Sequence, residues 1–270
     1  MSIAPFESPS IGVFDSGVGG LTVLRELRSL LPHSALHYLA DAAYAPYGTR
    51  TPEEIRARSR AITAHLLAQG ARMVVIACNT ATAHAIDDLR AQWPQVQFVG
   101  TEPGIKPAVA LTRNGRIGLL ATPSTAGSDR LRALIARHGG TSEFVVQGCA
   151  GVVDCIEAGD LDSPRLSALV DRYCEPLRMR RVDTVLLGCT HYPLIQPLWE
   201  AAMGPDVRVV RIEVAVARRA CDLWAEPTPA APRMQIETSG DPAALQRWIS
   251  HVLGWQDTPV HAWHADTERA

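Results

Sequence analysis

Along the chain, short apolar runs alternate with longer stretches in which apolar positions recur every three or four residues. The run "IGVFDSG" (11–17) reads as a buried strand and its exit turn, and the stripe Leu21, Leu24, Leu27, Leu30 and Leu31 predicts a helix ending at Pro32. A second strand, "ALHYLAD", follows at 35–41. Thr51 and Glu54 have the spacing of a capping box with Pro52 at the first helical position, so a helix starts there and runs to Gly70. The strand "MVVIA" then delivers Cys78.

The second half repeats this order. "IGLLATPST" (117–125) matches "IGVFDSGVG" in pattern, and "TVLLGCT" matches "MVVIACNT". The step from Ser16 to Cys78 is 62 positions, and that from Thr122 to Cys189 is 67. Strands alternating with helical patterns in this way predict an α/β fold with largely parallel sheets. The expected architecture is therefore two pseudo-symmetric parallel-sheet α/β domains facing each other across a central cleft.

Glycine and proline interrupt the periodicity in "GTEPGIKPAVALTRNG" (100–115), which marks the boundary. "EPTPAAP" (226–232) reads as a loose connection. "MQIETSGDPAALQRWISHVLG" reads as a last strand and a helix that Asp241 and Pro242 begin and Gly254 ends. This extra pair is assigned to the first domain, giving a first domain of 1–105 plus about 208–270 with Asp15 and Cys78, and a second of 106–207 with Thr122 and Cys189.

Composition narrows the functional classes. The 270 residues are 47% hydrophobic and 20% charged, an ordinary globular make-up. With 26 basic against 28 acidic residues and no long block of like charge, nucleic acid is not the expected partner. The start "MSIAPFESPS" lacks the basic and apolar regions of a secretory signal, and no apolar run is long enough to span a bilayer, so the expected location is the cytoplasm, with no membrane partner. Six cysteines (Cys78, Cys149, Cys155, Cys174, Cys189, Cys221) in a chain of this length are expected as thiols.

In open parallel sheets, ligands bind beyond the carboxyl ends of the strands. Asp15, Ser16, Cys78, Asn79, Thr122, Cys189 and Thr190 all fall there, beside helix N-termini whose N–H groups suit a small dianion or zwitterion. A buried cysteine is most often a small hydrophobe, which is the reading for Cys149, Cys155, Cys174 and Cys221. Cys78 and Cys189 differ because each precedes hydroxyl or amide donors ("CNT", "CTH"), each meets a helix N-terminus that favours thiolate, and the two positions are equivalent.

Zinc would need more than Cys189 and His191, whose spacing is not a usual zinc pair, so no metal is expected. "DSGVGG" lacks both the G-x-G-x-x-G spacing and a Walker lysine. Asp15 alone reads as a helix cap and His191 alone as a hydrogen-bonded loop histidine. Beside two thiols they become proton-handling partners. Racemisation inverts one carbon, so a catalyst working in both directions gains from equivalent acid/base groups on opposite faces. Two matching cysteine corners supply them.

The motifs "IGVFDSGVGGLTVLREL", "DAAYAPYGTRTPEEI", "ACNTATAHAI", "EPGIKPA", "IGLLATPSTAGS", "CIEAGDLD" and "LLGCTHYPL", in this order over nearly the whole chain, resemble the glutamate racemase family. The resemblance implies a cofactor-free isomerase interconverting L- and D-glutamate for peptidoglycan synthesis, cell-wall biogenesis and cell shape. It places Cys78 and Cys189 at the two catalytic cysteines, Asp15 and His191 at the supporting acid/base positions, and Glu157 at a glutamate that orients the histidine. Substrate contacts are implied for Ser16, for the Pro46, Tyr47 and Gly48 loop, and for Asn79, Thr80, Thr122, Thr125 and Thr190, with Asp41 at a further acidic position. Ala40 stands where the family usually has Gly, Ala150 where it has Pro, and Arg211 and Glu213 where an Asp and a small residue are usual.

Two alternatives stay open. One is an aspartate or related amino-acid racemase, separable by assaying both amino acids. The other is an inactive regulatory or binding relative, which would have no need of both thiols. The expected partner is the small-molecule substrate, and a homodimer is left open.

Overall fold

The computed structural model describes residues 6–226, 233–256 and 258–265. All but the first residue of the connection expected at 226–232 lies outside them. In chain order the elements are β1 (Ser10–Asp15), α1 (Leu21–Leu30), β2 (Ala35–Ala40), α2 (Pro52–Ala68), β3 (Ala71–Ile76), α3 (Asn79–Gln92) and β4 (Gln97–Gly100). There follow α4 (Ile105–Leu111), β5 (Arg116–Ala121), α5 (Pro123–Ala126), α6 (Asp129–His138), β6 (Glu143–Gly148), α7 (Val152–Glu157) and α8 (Pro164–Met179). The chain closes with β7 (Thr184–Gly188), α9 (Gln196–Met203), β8 (Arg208–Val210), α10 (Glu213–Leu223), β9 (Met234–Thr238), α11 (Pro242–Leu253) and β10 (Val260–Ala262). Short 3-10 turns occupy Ala42–Tyr44, Tyr47–Thr49 and Tyr192–Ile195.

The chain divides into two compact units. One gathers the described residues of Met1–Tyr47, Thr51–Thr101 and Glu213–Ala270, and the other Gly48–Arg50 and Glu102–Ile212. The first holds a six-stranded sheet in the order β10-β9-β2-β1-β3-β4, the second a four-stranded sheet in the order β6-β5-β7-β8. Every pairing is parallel. The order β2-β1-β3-β4 of the first sheet recurs as β6-β5-β7-β8 in the second, and β9 and β10 extend the first sheet past β2.

The central strands β1 and β7 are buried at every position, as continuous apolar runs covered on both faces of a parallel sheet must be. In the first unit, Ile55, Ile62 and Leu66 of α2 and Ala81, Ala85 and Leu89 of α3 pack on Phe14, Val74 and Ile76. In the second, Ile105, Ala108 and Leu131 pack on Ile117, Leu119 and Leu186. The Thr51 box is complete: its side chain accepts from the Glu54 N–H, and the Glu54 carboxylate accepts from the Thr51 N–H. Asp241 accepts from the Ala243 N–H to open α11, and Gly254 ends it at φ 71°, a left-handed backbone that glycine adopts without strain.

Two boundaries differ from the sequence reading. Residues from about 208 were expected in the first domain, yet β8 pairs with β7 through Thr184–Arg208, Val185–Val209 and Leu186–Val210, and the chain changes unit at Glu213. A strand of three residues carries too little periodicity to announce itself. The other boundary, expected after residue 105, falls at Glu102, because α4 packs against β7 and α6 of the second unit.

Candidate active site

In each sheet the first strand in sequence lies in the middle, and the chain leaves it first to one side and later to the other. The crevice between the ends of β1 and β3, and its equivalent between β5 and β7, is the switch point where parallel sheets bind ligands. Ser16 and Cys78 flank the first crevice, Thr122 and Cys189 the second.

In the first unit, Cys78 is the N-cap of α3, and its Sγ accepts from the Ala81 N–H at 3.4 Å. The thiol sulfur therefore takes up one of the unpaired N–H groups of a helix start. Ser16 Oγ lies 3.7 Å from the same sulfur. Asn79 donates through Nδ2 to the Thr101 carbonyl at 3.0 Å, while its Oδ1 is buried with no partner among the described residues. Thr80 is buried one position further along α3.

Asp15 is wholly buried, and its Oδ2 accepts from the N–H groups of Gly17 at 3.1 Å and Gly20 at 3.0 Å. The carboxylate thus organises the "SGVGG" turn. Gly20 is needed there for space rather than for its backbone angle: its φ is −63°, but a Cβ would fall 2.5 Å from Asp15 Cβ and 2.8 Å from the Tyr38 hydroxyl.

Asp41 is a hub. It accepts from Tyr47 Oη at 2.5 Å, from Arg58 Nε and Nη2 at 2.9 and 2.7 Å, and from Ser239 Oγ at 2.7 Å. The Tyr47 side chain is therefore committed to the interior of its unit, and burial together with the Asp41 charge raises its hydroxyl well above the ordinary tyrosine value. A substrate contact from Tyr47 would have to come from its backbone. Arg58 and Ser239 escaped the sequence reading. Arg58 was detectable, because it stands three residues after Ile55 and four before Ile62 on the inward stripe of α2, where a charge demands a buried partner.

In the second unit, Cys189 does not start an α-helix as expected. The Tyr192–Ile195 3-10 turn follows it, Pro193 supplying no N–H for a first helical turn. Its partner is instead a histidine: Cys189 Sγ lies 3.8 Å from His191 Nδ1, and His191 Nε2 lies 2.5 Å from Glu157 Oε1 at the end of α7. Burial works against protonating His191. The hydrogen bonds to Cys189 and Glu157 and the Glu157 charge overcome it and hold the ring well above the ordinary histidine value.

Thr122 caps α5, accepting from the Thr125 N–H at 3.2 Å and donating to Thr125 Oγ1 at 3.0 Å. Gly48 lies against it so closely that a Cβ would be 2.8 Å from Thr122 Cβ. Thr190 is buried between the two paired residues of the cysteine corner. Pro46 follows a cis peptide bond after Ala45. All six cysteines are unbridged, and burial works against the thiolate at two of the remaining ones, pushing Cys174 up to about 11 and Cys149 higher still.

Residues 15–220 match the family described as Asp/Glu/Hydantoin racemase. The chain belongs to that family. It is 48% identical to the glutamate racemase of Herpetosiphon aurantiacus over 238 residues, covering 86% of this chain and 93% of the relative. Two crystal structures share its fold. Escherichia coli glutamate racemase, in complex with L-glutamate and the activator UDP-MurNAc-ala, has a TM-score of 0.82 at 33% identity, covering 94% of this chain and 97% of that one. The Francisella tularensis enzyme in complex with D-glutamate gives 0.85 at 25%, covering 97% and 100%. Among the described residues, no helix is long and apolar enough to cross a membrane.

Proposed function

We propose that the chain is a glutamate racemase that needs no cofactor, interconverts L- and D-glutamate through Cys78 and Cys189, and supplies D-glutamate for peptidoglycan. The observation that carries this reading is the repeated corner: two sheets that share the order of their first four strands each end the third strand in a buried thiol with a polar partner. The glutamate bound by the Escherichia coli and Francisella tularensis relatives supports the substrate.

The chemistry follows from the two thiols. One, as thiolate, takes the α-hydrogen as a proton, forming an S–H bond and leaving the C–H electron pair on the α-carbon, where the adjoining carboxylate delocalises it. The other thiol's S–H bond breaks and its proton adds to the opposite face, leaving that sulfur as the thiolate. The roles exchange for the other enantiomer. His191, held protonated by Glu157, stabilises the Cys189 thiolate and returns its proton. Asp15 and Ser16 are assigned the equivalent support of Cys78, Ser16 by contact and Asp15 through the turn it organises.

Asn79 Oδ1 is an acceptor suited to the substrate ammonium. Ser16, Thr80, Thr122, Thr125 and Thr190, with the backbone at Pro46, Tyr47 and Gly48, supply the rest of the substrate site. The test is purified protein with D-glutamate and, separately, D-aspartate, without pyridoxal phosphate. Turnover of glutamate is expected. Cys78→Ala and Cys189→Ala should each lower kcat by about 10²–10⁴-fold, the scale of a lost proton-transfer group, with unchanged folding. Cys174→Ala should retain activity. Near-normal turnover in either corner variant, or a preference for aspartate, would refute the assignment.

A further inference from the structure

Away from the cysteine corners, three side chains from three elements of the first unit converge. His37 lies in β2, His65 in α2 and Glu237 in β9. Glu237 Oε2 sits 2.6 Å from His37 Nε2 and 2.6 Å from His65 Nε2, and the three ligand atoms all lie within 4.8 Å of one another. Glu237 follows His65 by 172 positions and His37 by 200, so no short motif in the sequence announces the cluster.

We propose that His37, His65 and Glu237 form a binding site for a divalent first-row transition metal of the zinc class. Two imidazole nitrogens and one carboxylate oxygen are a donor set that zinc takes, with a water in the fourth position of a tetrahedron. At metal–ligand distances of about 2.0–2.1 Å the edges of such a tetrahedron are about 3.3 Å, so the carboxylate need withdraw from each ring by less than 1 Å. Both imidazoles already present Nε2 to one point, an arrangement that a single hydrogen bond would not require of the second ring.

A metal would take the place of the ring proton that each Nε2 shares with Glu237, so uptake releases protons. His37 is wholly buried, whereas the His65 side chain is 21% exposed, which gives the metal a route in. The surroundings are tight: the His37 and His65 rings are 5.7 Å apart between centroids, with Phe6 5.8 Å from His37 and Trp263 5.5 Å from His65.

The site would bind β2, β9 and α2 together at a point distinct from the Asp41 hub, which joins the same three elements. Metal should therefore raise the stability of the first unit without entering the reaction. The experiment takes full-length protein stripped with a chelator and titrates it with Zn²⁺ alone, reading heat of binding and Tm. The wild type should take up Zn²⁺ with a rise in Tm. His65→Gln, which keeps a polar side chain at the partly exposed position, should bind at least about 100-fold more weakly and lose the Tm rise while retaining turnover, and Glu237→Gln should do the same to the affinity. Equal affinity in wild type and both variants would overturn the proposal. Co²⁺ added to the wild type gives a readout that needs no variant. Paramagnetically shifted signals from two imidazoles are expected, and thiolate charge-transfer absorption in their place, or no shifted imidazole signal, would assign the metal elsewhere and end the proposal.

Discussion

His191 is a buried ring whose charge is decided by its two neighbours. Burial alone would strip its proton, yet Cys189 at 3.8 Å and Glu157 at 2.5 Å raise it well above 6.5. A group raised in this way keeps its proton through neutral pH and gives it up only as pH climbs through the elevated value; its contribution to stability follows the same course, complete below 6.5 and lost through that rise. Glu157→Gln removes the carboxylate charge and leaves burial dominant, so the proton leaves at lower pH. The alkaline limb of the kcat/KM profile should therefore move to lower pH in Glu157→Gln, with the acid limb in place. An unmoved alkaline limb would remove Glu157 from the proton inventory. At this scale the sequence was informative about which residues meet but less so about what they spend. Cys189, His191 and Glu157 come together as the motifs implied, and Cys78 meets Ser16. Asp15 and Tyr47 carry hydrogen bonds of the fold itself, to the Gly17 and Gly20 amides and to Asp41, because burial at the end of β1 and inside the core forces each polar group to find a partner wherever the backbone offers one.

Among the elements, α2 is held to the sheet by more than its apolar stripe. The Arg58 guanidinium grips Asp41 with two nitrogens, lies over the Tyr44 ring at 3.8 Å, and leaves the Asp41 carboxylate with no exposure. Arg58→Ala would strand that buried charge. Tyr47 and Ser239 would still donate to it, which places the loss near the lower end of the range for a broken buried pair, about 3 kcal/mol, measurable as a fall in the urea midpoint at constant slope. Arg58→Lys should recover only part of it, since an ammonium cannot make the two-nitrogen contact. A loss within the range of an exposed ion pair would show that Asp41 is solvated after all. Elements with strong local signals were legible: the Thr51 box, the Asp241 and Gly254 ends of α11, and the buried runs of β1, β3, β5 and β7. Those set by tertiary pairing were not. Three-residue β8 exists because β7 offers an open edge, β10 because β9 does, and the turn after Cys189 is 3-10 because Pro193 removes an amide that an α-helix would use.

For the whole molecule, the recurrence of one strand order in two sheets is what gives the chain two thiols at equivalent strand ends, and the proposed two-base mechanism makes a demand that neither thiol meets alone. If Cys78 and Cys189 act on opposite faces of the α-carbon, the base that takes the proton differs from the acid that returns one, and the returned hydrogen comes from a thiol already exchanged with solvent. In D2O, at early conversion from L-glutamate, the D-glutamate formed should carry deuterium at the α-carbon while the remaining L-glutamate stays largely protiated. Starting from D-glutamate, the pattern should be mirrored, because the two corners only exchange their roles. A single base serving both faces behaves differently: it labels both pools together or carries the original proton across into product. Mass spectrometry of the separated enantiomers during the first few per cent of reaction distinguishes the two. Comparable early deuterium in the starting enantiomer, in both directions, would contradict a two-base reaction even if each cysteine proved indispensable, and would leave the repeated corner with a role in holding the substrate rather than in inverting it.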